Sequence, residues 1–167
     1  MDKSHVAYLS LGSNIQPEEN LVRAVKLLQQ YGEIEAISNA WESKSVGAEG
    51  PNYLNACISF VCPLSPSGLK EQVISPIEQA LGRIRTGNKF APRTMDIDIV
   101  IFDNVSCDDK YWVQAFVVIP LAEIFPTFTN PLTQEPIHET AVRLRREIWM
   151  ETRQGILSQF GENNTRG

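Results

Sequence analysis

The chain is short of the residues that several kinds of chemistry require. It has three cysteines, Cys57, Cys62 and Cys107. They form no even framework and no close C-x-x-C spacing, so neither disulfide scaffolding nor a thiolate metal site is legible. Cys57 and Cys62 fall in an apolar run and read as reduced, buried fillers. The two histidines, His5 and His138, are far apart, and nothing around them points to a His-centred site. No apolar stretch reaches membrane-spanning length: the best, Ala115 to Pro126, is broken by Pro120 and Glu123. No basic and apolar leader precedes a small-residue cleavage site, so the expected address is the cytoplasm. The net charge of −5 and pI of about 5.1 lack the basic excess of a phosphate-backbone binder, so neither a nucleic acid nor a membrane is expected as partner. There is no internal repeat and no linker.

What remains is an ordinary soluble composition, 43% hydrophobic and 21% charged over 167 residues. That favours one domain with a real core, expected over residues 1–160 with 161–167 as a frayed tail. A monomer is expected, with a homodimer as the alternative. His5 to Leu11 reads as a strand, and Gly12-Ser13-Asn14 as a turn. Pro17 opens a helix to about Tyr31, with Leu21, Ala24, Val25 and Leu28 at helical spacing. Glu33 to Ser45 and Tyr53 to Cys62 read as strands. Ser67 is expected to cap a helix to about Arg85 that Pro76 interrupts or kinks. Thr94 to Phe102 is a fourth strand, and 103–114 a polar loop. Phe116 to Ile119 reads as a short extra strand, and Glu139 to Phe160 as a final amphipathic helix. This order gives an α+β, ferredoxin-like sandwich: a βαββαβ core, an antiparallel sheet with helices on one side, and C-terminal additions.

The most specific stretch is Ala91-Pro-Arg-Thr-Met-Asp-Ile-Asp-Ile99. On a strand, Met95, Ile97, Ile99 and Ile101 share one face, and Asp96 and Asp98 project from the other, roughly 6–7 Å apart. Two carboxylates so placed repel by about 2–3 kcal/mol at an effective dielectric near 20, and a cation reverses that sign. Hard oxygen ligands suit magnesium, which binds through one or two carboxylates plus substrate phosphates. Arg83, Arg85, Lys89 and Arg93 precede them with no acid between, a local basic cluster suited to a small polyanion. The same pattern also describes an ordinary half-buried strand next to solvated charge at a helix end.

Leu11-Gly12-Ser13-Asn14, Gly50-Pro51-Asn52-Tyr53-Leu54-Asn55-Ala56, and Glu78 to Arg85 followed by Ala91 to Ile99 occur in this order. Together they resemble hydroxymethyldihydropterin pyrophosphokinase, a folate-pathway family, over roughly residues 5–126. The resemblance implies transfer of pyrophosphate from ATP to the hydroxymethyl group of a reduced pterin, with release of AMP. It implies that Asp96 and Asp98 hold two Mg2+ ions and that Arg83, Arg85, Arg93 and Glu78 contact ATP, Arg83 and Arg93 as catalytic groups beside the aspartates. Tyr53 and Phe116 would stack on the pterin, Asn55 would pair with its edge, Phe90 would pack nearby, and Ser43 to Val46 would contact it through backbone alone.

The stretch 108–114 departs from the family pattern. Asp108 stands at a His position and Gln114 at an Arg position, both phosphate-directed in relatives, while Lys110 offers a compensating cation. Lys44-Ser45 replaces a Pro-Pro pair. A lost phosphate-directed arginine costs about 1.5–3 kcal/mol. The alternative reading is therefore a non-catalytic pterin- or nucleotide-binding paralogue.

Overall fold

The computed structural model describes residues 3–45, 50–82 and 94–160. Arg83, Arg85, Lys89, Phe90, Arg93 and Val46 lie outside the described residues. The central strand β1 (His5–Ser13) pairs antiparallel with β4 (Tyr53–Cys62) on one side and β5 (Asp96–Phe102) on the other. Gly12 and Ser13 are thus strand residues, and the turn comes after them. The expected single strand from Glu33 to Ser45 is two: β2 (Glu33–Ile37) and β3 (Ala40–Ser43), both paired with β4. The break at Ser38-Asn39 is held by side chains. Ser38 Oγ accepts from the Cys57 amide at 2.9 Å and donates to the Asn39 carbonyl at 2.8 Å. With β6 (Val105–Ser106) and β7 (Met150–Arg153) at the edges, the strand order is β6-β5-β1-β4-β3-β7.

The core helices lie on one face, as expected. Helix α1 (Pro17–Gln29) buries Leu21, Ala24, Val25 and Leu28 against Ala7, Leu9 and Leu11. Its amphipathic stripe supplies the burial, and Glu18 and Glu19 in its first turn suit the helix dipole. Where the chain returns to the sheet, a Cβ on Gly32 would stand 2.6 Å from both Phe60 Cζ and the Val61 carbonyl oxygen. Gly32→Ala is expected to cost about 1–3 kcal/mol by overpacking. The check is a lower urea midpoint at unchanged slope; an unmoved midpoint would contradict the contact.

The second core helix runs through α2 (Pro66–Leu69), a π turn (Lys70–Ile74) and α3 (Ser75–Ala80). Ser65, rather than Ser67, caps it by accepting from the Gly68 amide at 3.1 Å. Pro76 does not break it. The π turn widens the coil just upstream, where the Ser75 amide reaches back to Lys70, and this accommodates a residue with no N–H. Gly82, at φ +86°, turns the chain out of the helix.

The C-terminal additions cover the opposite face, and here the sequence reading needs correction. Phe116 to Ile119 is not a strand but part of α4 (Ala115–Ile124), with Pro120 inside it. A short apolar run with β-branched residues fits a buried helix as well as a strand. This helix is apolar all round because it lies between the sheet and α5 (Ile137–Glu147), sharing a core with Trp41, Cys57, Val100, Ile137 and Ala141. The final helix ends at Glu147 rather than Phe160. Ile148 is extended, and β7 then pairs with β3. The loop 103–114 contains β6 and a 3-10 turn, Asp109–Val113. The register between β1 and β5 also slips between Tyr8 and Leu9. Ile97 and Ile99 face α1, but Ile101 turns to the α4 side with Val100 because a bulge inserts one residue.

Candidate active site

The site follows from strand register. Asp96 lies across from Gly12, Gly12 across from Asn55, and Asn55 across from Trp41. One step along, Asp98 lies across from Ser10, and Tyr53 across from Ser43. Alternation puts these residues on the sheet face that carries Tyr8, Cys57 and Trp41, the face α4 packs on. Sequence segments far apart, 10–13, 41–43, 53–55 and 96–98, therefore form one floor.

Gly12 shapes that floor. It carries no side chain between Asp96 and Asn55, strands two spacings apart, or about 9–10 Å. A Cβ there would meet Asn55 Oδ1 at 3.2 Å and Tyr53 Cδ1 at 3.8 Å. A flat group can therefore lie against bare backbone, with a carboxylate at one end and a carboxamide and phenol ring at the other. A glycine inside a strand signals such an approach; reading it as a turn residue hid it.

Asn55 is 3% exposed and its amide orientation is fixed. Nδ2 donates to Ser43 Oγ at 2.6 Å and to the Trp41 carbonyl at 3.4 Å. Ser43 thus acts through its hydroxyl, and not through backbone alone. Both donor hydrogens turn toward β3, which leaves Oδ1 above Gly12. Tyr53 is half-buried beside it.

Asp96 and Asp98 are also half-buried. Between them, the Ile97 amide donates to Glu78 Oε2 at 2.9 Å. Among the described residues, the edge of β5 away from β1 has a strand partner only at Ile101 and Phe102, and the Glu78 carboxylate, 5% exposed on α3, supports the backbone from which both aspartates project. Among the described residues, no group of three or more His, Cys, Asp or Glu could hold a metal ion. Two carboxylates on one strand face are the kind of donor set magnesium shares with a phosphate ligand, and are too few for an all-protein cage.

The 108–114 segment is ordered against this floor. Asp108 accepts from the Lys110 amide at 2.9 Å and so caps the 3-10 turn. Trp112 is fully buried and donates Nε1–H to Ser106 Oγ at 2.7 Å. Tyr111, which sequence reasoning did not single out, is buried near the aspartates: burial first, then the charges of Asp98 and Asp108, raise its phenol pKa. Lys110 is exposed, its Nζ 5.3 Å from the Tyr111 ring centroid. Phe116 follows in the first turn of α4, half-buried against the second core.

Glu123 anchors the other end of α4. It accepts from Trp41 Nε1 and from Asn39 Nδ2, the latter at 2.9 Å. Burial raises its pKa against these bonds. The Arg145 guanidinium of α5 lies 5.1 Å from the Trp41 ring centroid. The helix carrying Phe116 is thereby tied to the strand that orients Asn55.

Residues 8–126 match the family described as 7,8-dihydro-6-hydroxymethylpterin-pyrophosphokinase (HPPK). The 2-amino-4-hydroxy-6-hydroxymethyldihydropteridine pyrophosphokinase of Synechocystis sp. is 33% identical over 144 residues, covering 80% of this chain and 73% of that one. The Bacillus subtilis protein of the same name is 31% identical over 156 residues, 86% of this chain and 92% of its own. Among solved structures, Plasmodium falciparum HPPK-DHPS A437G aligns with a TM-score of 0.67 at 11% identity. That alignment takes in 99% of this chain but 48% of the Plasmodium one, so this chain spans about half its length. At that identity the likeness is one of fold.

Proposed function

This chain belongs to the 7,8-dihydro-6-hydroxymethylpterin-pyrophosphokinase family, a diphosphotransferase family of folate biosynthesis that uses ATP as co-substrate, and we propose that its sheet floor seats the acceptor pterin beside an aspartate-bound triphosphate. The observation that carries this reading is the row Asp96, Gly12, Asn55. It sets a phosphate end and a heterocycle end one molecule's width apart.

The division of labour follows from the residues. Tyr53 stacks on one face of the pterin and Phe116 on the other. Asn55 Oδ1 accepts from the ring's donor edge while Ser43 holds the amide in that sense. The hydroxymethyl oxygen then points toward Asp96 and Asp98. These carboxylates would hold magnesium, which would supply positive charge against the phosphate oxygens. The transfer forms a bond from the hydroxymethyl oxygen, which gives up its proton, to the β-phosphorus and breaks the one from that phosphorus to the α–β bridging oxygen, which leaves on AMP. Glu78 keeps the two carboxylates in register from behind. Lys110 offers a cation at the rim, and Arg83, Arg85 and Arg93 offer phosphate contacts of the bidentate kind. Phe90 and the 43–46 stretch would contact the pterin. Catalysis of this sort needs position and charge, and no covalent nucleophile.

Tyr53→Ala is expected to weaken pterin binding by about 1–2 kcal/mol, read by calorimetry; unchanged affinity would remove Tyr53 from the site. The function itself is tested by AMP release on mixing the protein with 6-hydroxymethyl-7,8-dihydropterin, ATP and magnesium. Pterin-dependent AMP is the expected result. No AMP above background, with both ligands still bound, would instead support the non-catalytic paralogue.

A further inference from the structure

The added strand β7 does more than extend the sheet. It lines the outer edge of β3, with Met150 across from Ser43 and Glu151 across from Glu42. Two glutamates directly opposite repel, and Arg153 pairs with one of them, Glu42. Its Nη1 donates to Glu42 Oε1 at 3.0 Å and its Nη2 to Glu18 Oε1, on α1, at 2.5 Å. The second oxygen of Glu42 accepts from Asn52 Nδ2 at 2.7 Å. Nearby, Lys44 Nζ stands 5.9 Å from the ring centroid of Trp149, just before β7.

The period of the strands separates these contacts from the site. Glu42 and Leu54 share the α1 face of the sheet, as does Asn52 beside Tyr53, whereas Ser43, Tyr53 and Asn55 project from the other. The chain Glu18, Arg153, Glu42, Asn52 therefore grips, from behind, the two strand ends that carry the front-face residues. Glu42 shows the grip. Its hydrogen bond from Asn52 and then that from Arg153 hold its carboxyl below the usual carboxylate range.

We propose that Arg153 is a positioning residue for the pterin end of the site, acting through Glu42 and Asn52 to fix the spacing of Ser43, Tyr53 and Asn55. The proposal rests on the pterin reading given above. It also makes β7, outside the ferredoxin-like core, part of the specificity apparatus.

The test uses this chain with single substitutions and one double variant. Arg153→Met removes the guanidinium and keeps its length, Glu42→Gln removes the charge and one of the two acceptor oxygens that Arg153 and Asn52 share, and Glu18→Gln weakens only the arm toward α1. Each is titrated with 6-hydroxymethylpterin in the presence of magnesium and a non-hydrolysable ATP analogue, and separately with the analogue alone. Arg153→Met and Glu42→Gln are expected to raise the pterin Kd by about threefold to tenfold. Nucleotide affinity should stay constant, the double variant should be no worse than either single one, and Glu18→Gln should be near neutral. Arg153→Lys should restore part of the loss. Equal pterin affinity in all variants, or parallel weakening of both ligands, would overturn the proposal. Amide hydrogen exchange at Tyr53 to Asn55 in the free protein provides an arm independent of ligand. Faster exchange in Glu42→Gln supports the proposal and unchanged exchange refutes it, even if Arg153→Met does not fold. Failure of the unaltered protein to bind pterin, with exchange behaving as expected, would strike the functional reading and leave the mechanical link standing.

Discussion

Asp98→Ala is expected to abolish measurable turnover, a loss of about a thousandfold or more, while the protein stays folded. The two halves of this expectation come from the same geometry. Asp98 is half-buried, two residues from Asp96 on the same strand face and across from Ser10. The backbone between them is held by Glu78 through the Ile97 amide, not by the Asp98 carboxylate. If the aspartates hold magnesium against ATP, removing one takes away half of the carboxylates that would bind the metal. Activity should therefore fall while the thermal midpoint stays near that of the unaltered chain. Near-normal kcat in Asp98→Ala would exclude the metal role, and a collapse of the midpoint would mark the residue as structural.

Gly12→Leu is expected to weaken pterin binding by about tenfold to a hundredfold, on the scale of an overpacked contact. The new side chain starts from a Cβ already 3.2 Å from Asn55 Oδ1, so it can extend only over the bare patch between Asn55 and Asp96. The buried Asn55 amide must give slightly to admit the Cβ, so the affinities are compared on protein shown to be folded. Binding of a magnesium–ATP analogue should be far less affected, because Asp96 and Asp98 do not lie against that Cβ. Calorimetry with each ligand separates the cases. Normal pterin affinity in Gly12→Leu would mean that the ring sits elsewhere.

Much of this arrangement is legible in the chain. The βαββαβ order follows from local signals: the stripe of Leu21, Ala24, Val25 and Leu28, the alternation through Asp96 and Asp98, and the apolar strand Tyr53 to Cys62. Those same periods place Tyr53 with Asn55 and Asp96 with Asp98. What escaped depends on partners distant in sequence. The apolar run at 115–124 is helical because α5 covers its far side. Ile148 to Arg153 leaves the helix because β3 offers an unpaired edge, more than a hundred residues earlier. The bulge that turns Ile101 away from Ile99 is set by register against β1, to which a single strand's pattern is blind. Gly12 read as a turn because glycine does so in most contexts, and its place in a floor emerges only when Asp96 and Asn55 flank it. Ser43 likewise gains its role from the amide of Asn55. The basic residues Arg83, Arg85 and Arg93 were legible as a cluster and lie outside the described residues.

The departures at 108–114 take on a different meaning in the fold. The Asp108 carboxylate caps its own turn. Trp112 and Tyr111 bury themselves beneath that turn. The segment is packed rather than eroded, and Tyr111 comes within the field of both aspartates. The wall beside Asp96 and Asp98 is thus built of aromatic packing.

The most direct measurement is a calorimetric titration of the protein with a non-hydrolysable ATP analogue, with and without magnesium, repeated on Asp96→Asn and Asp98→Asn. The account requires binding that depends on magnesium in the unaltered chain and that dependence to vanish in both variants. Nucleotide binding indifferent to magnesium, or unchanged by either substitution, would contradict it.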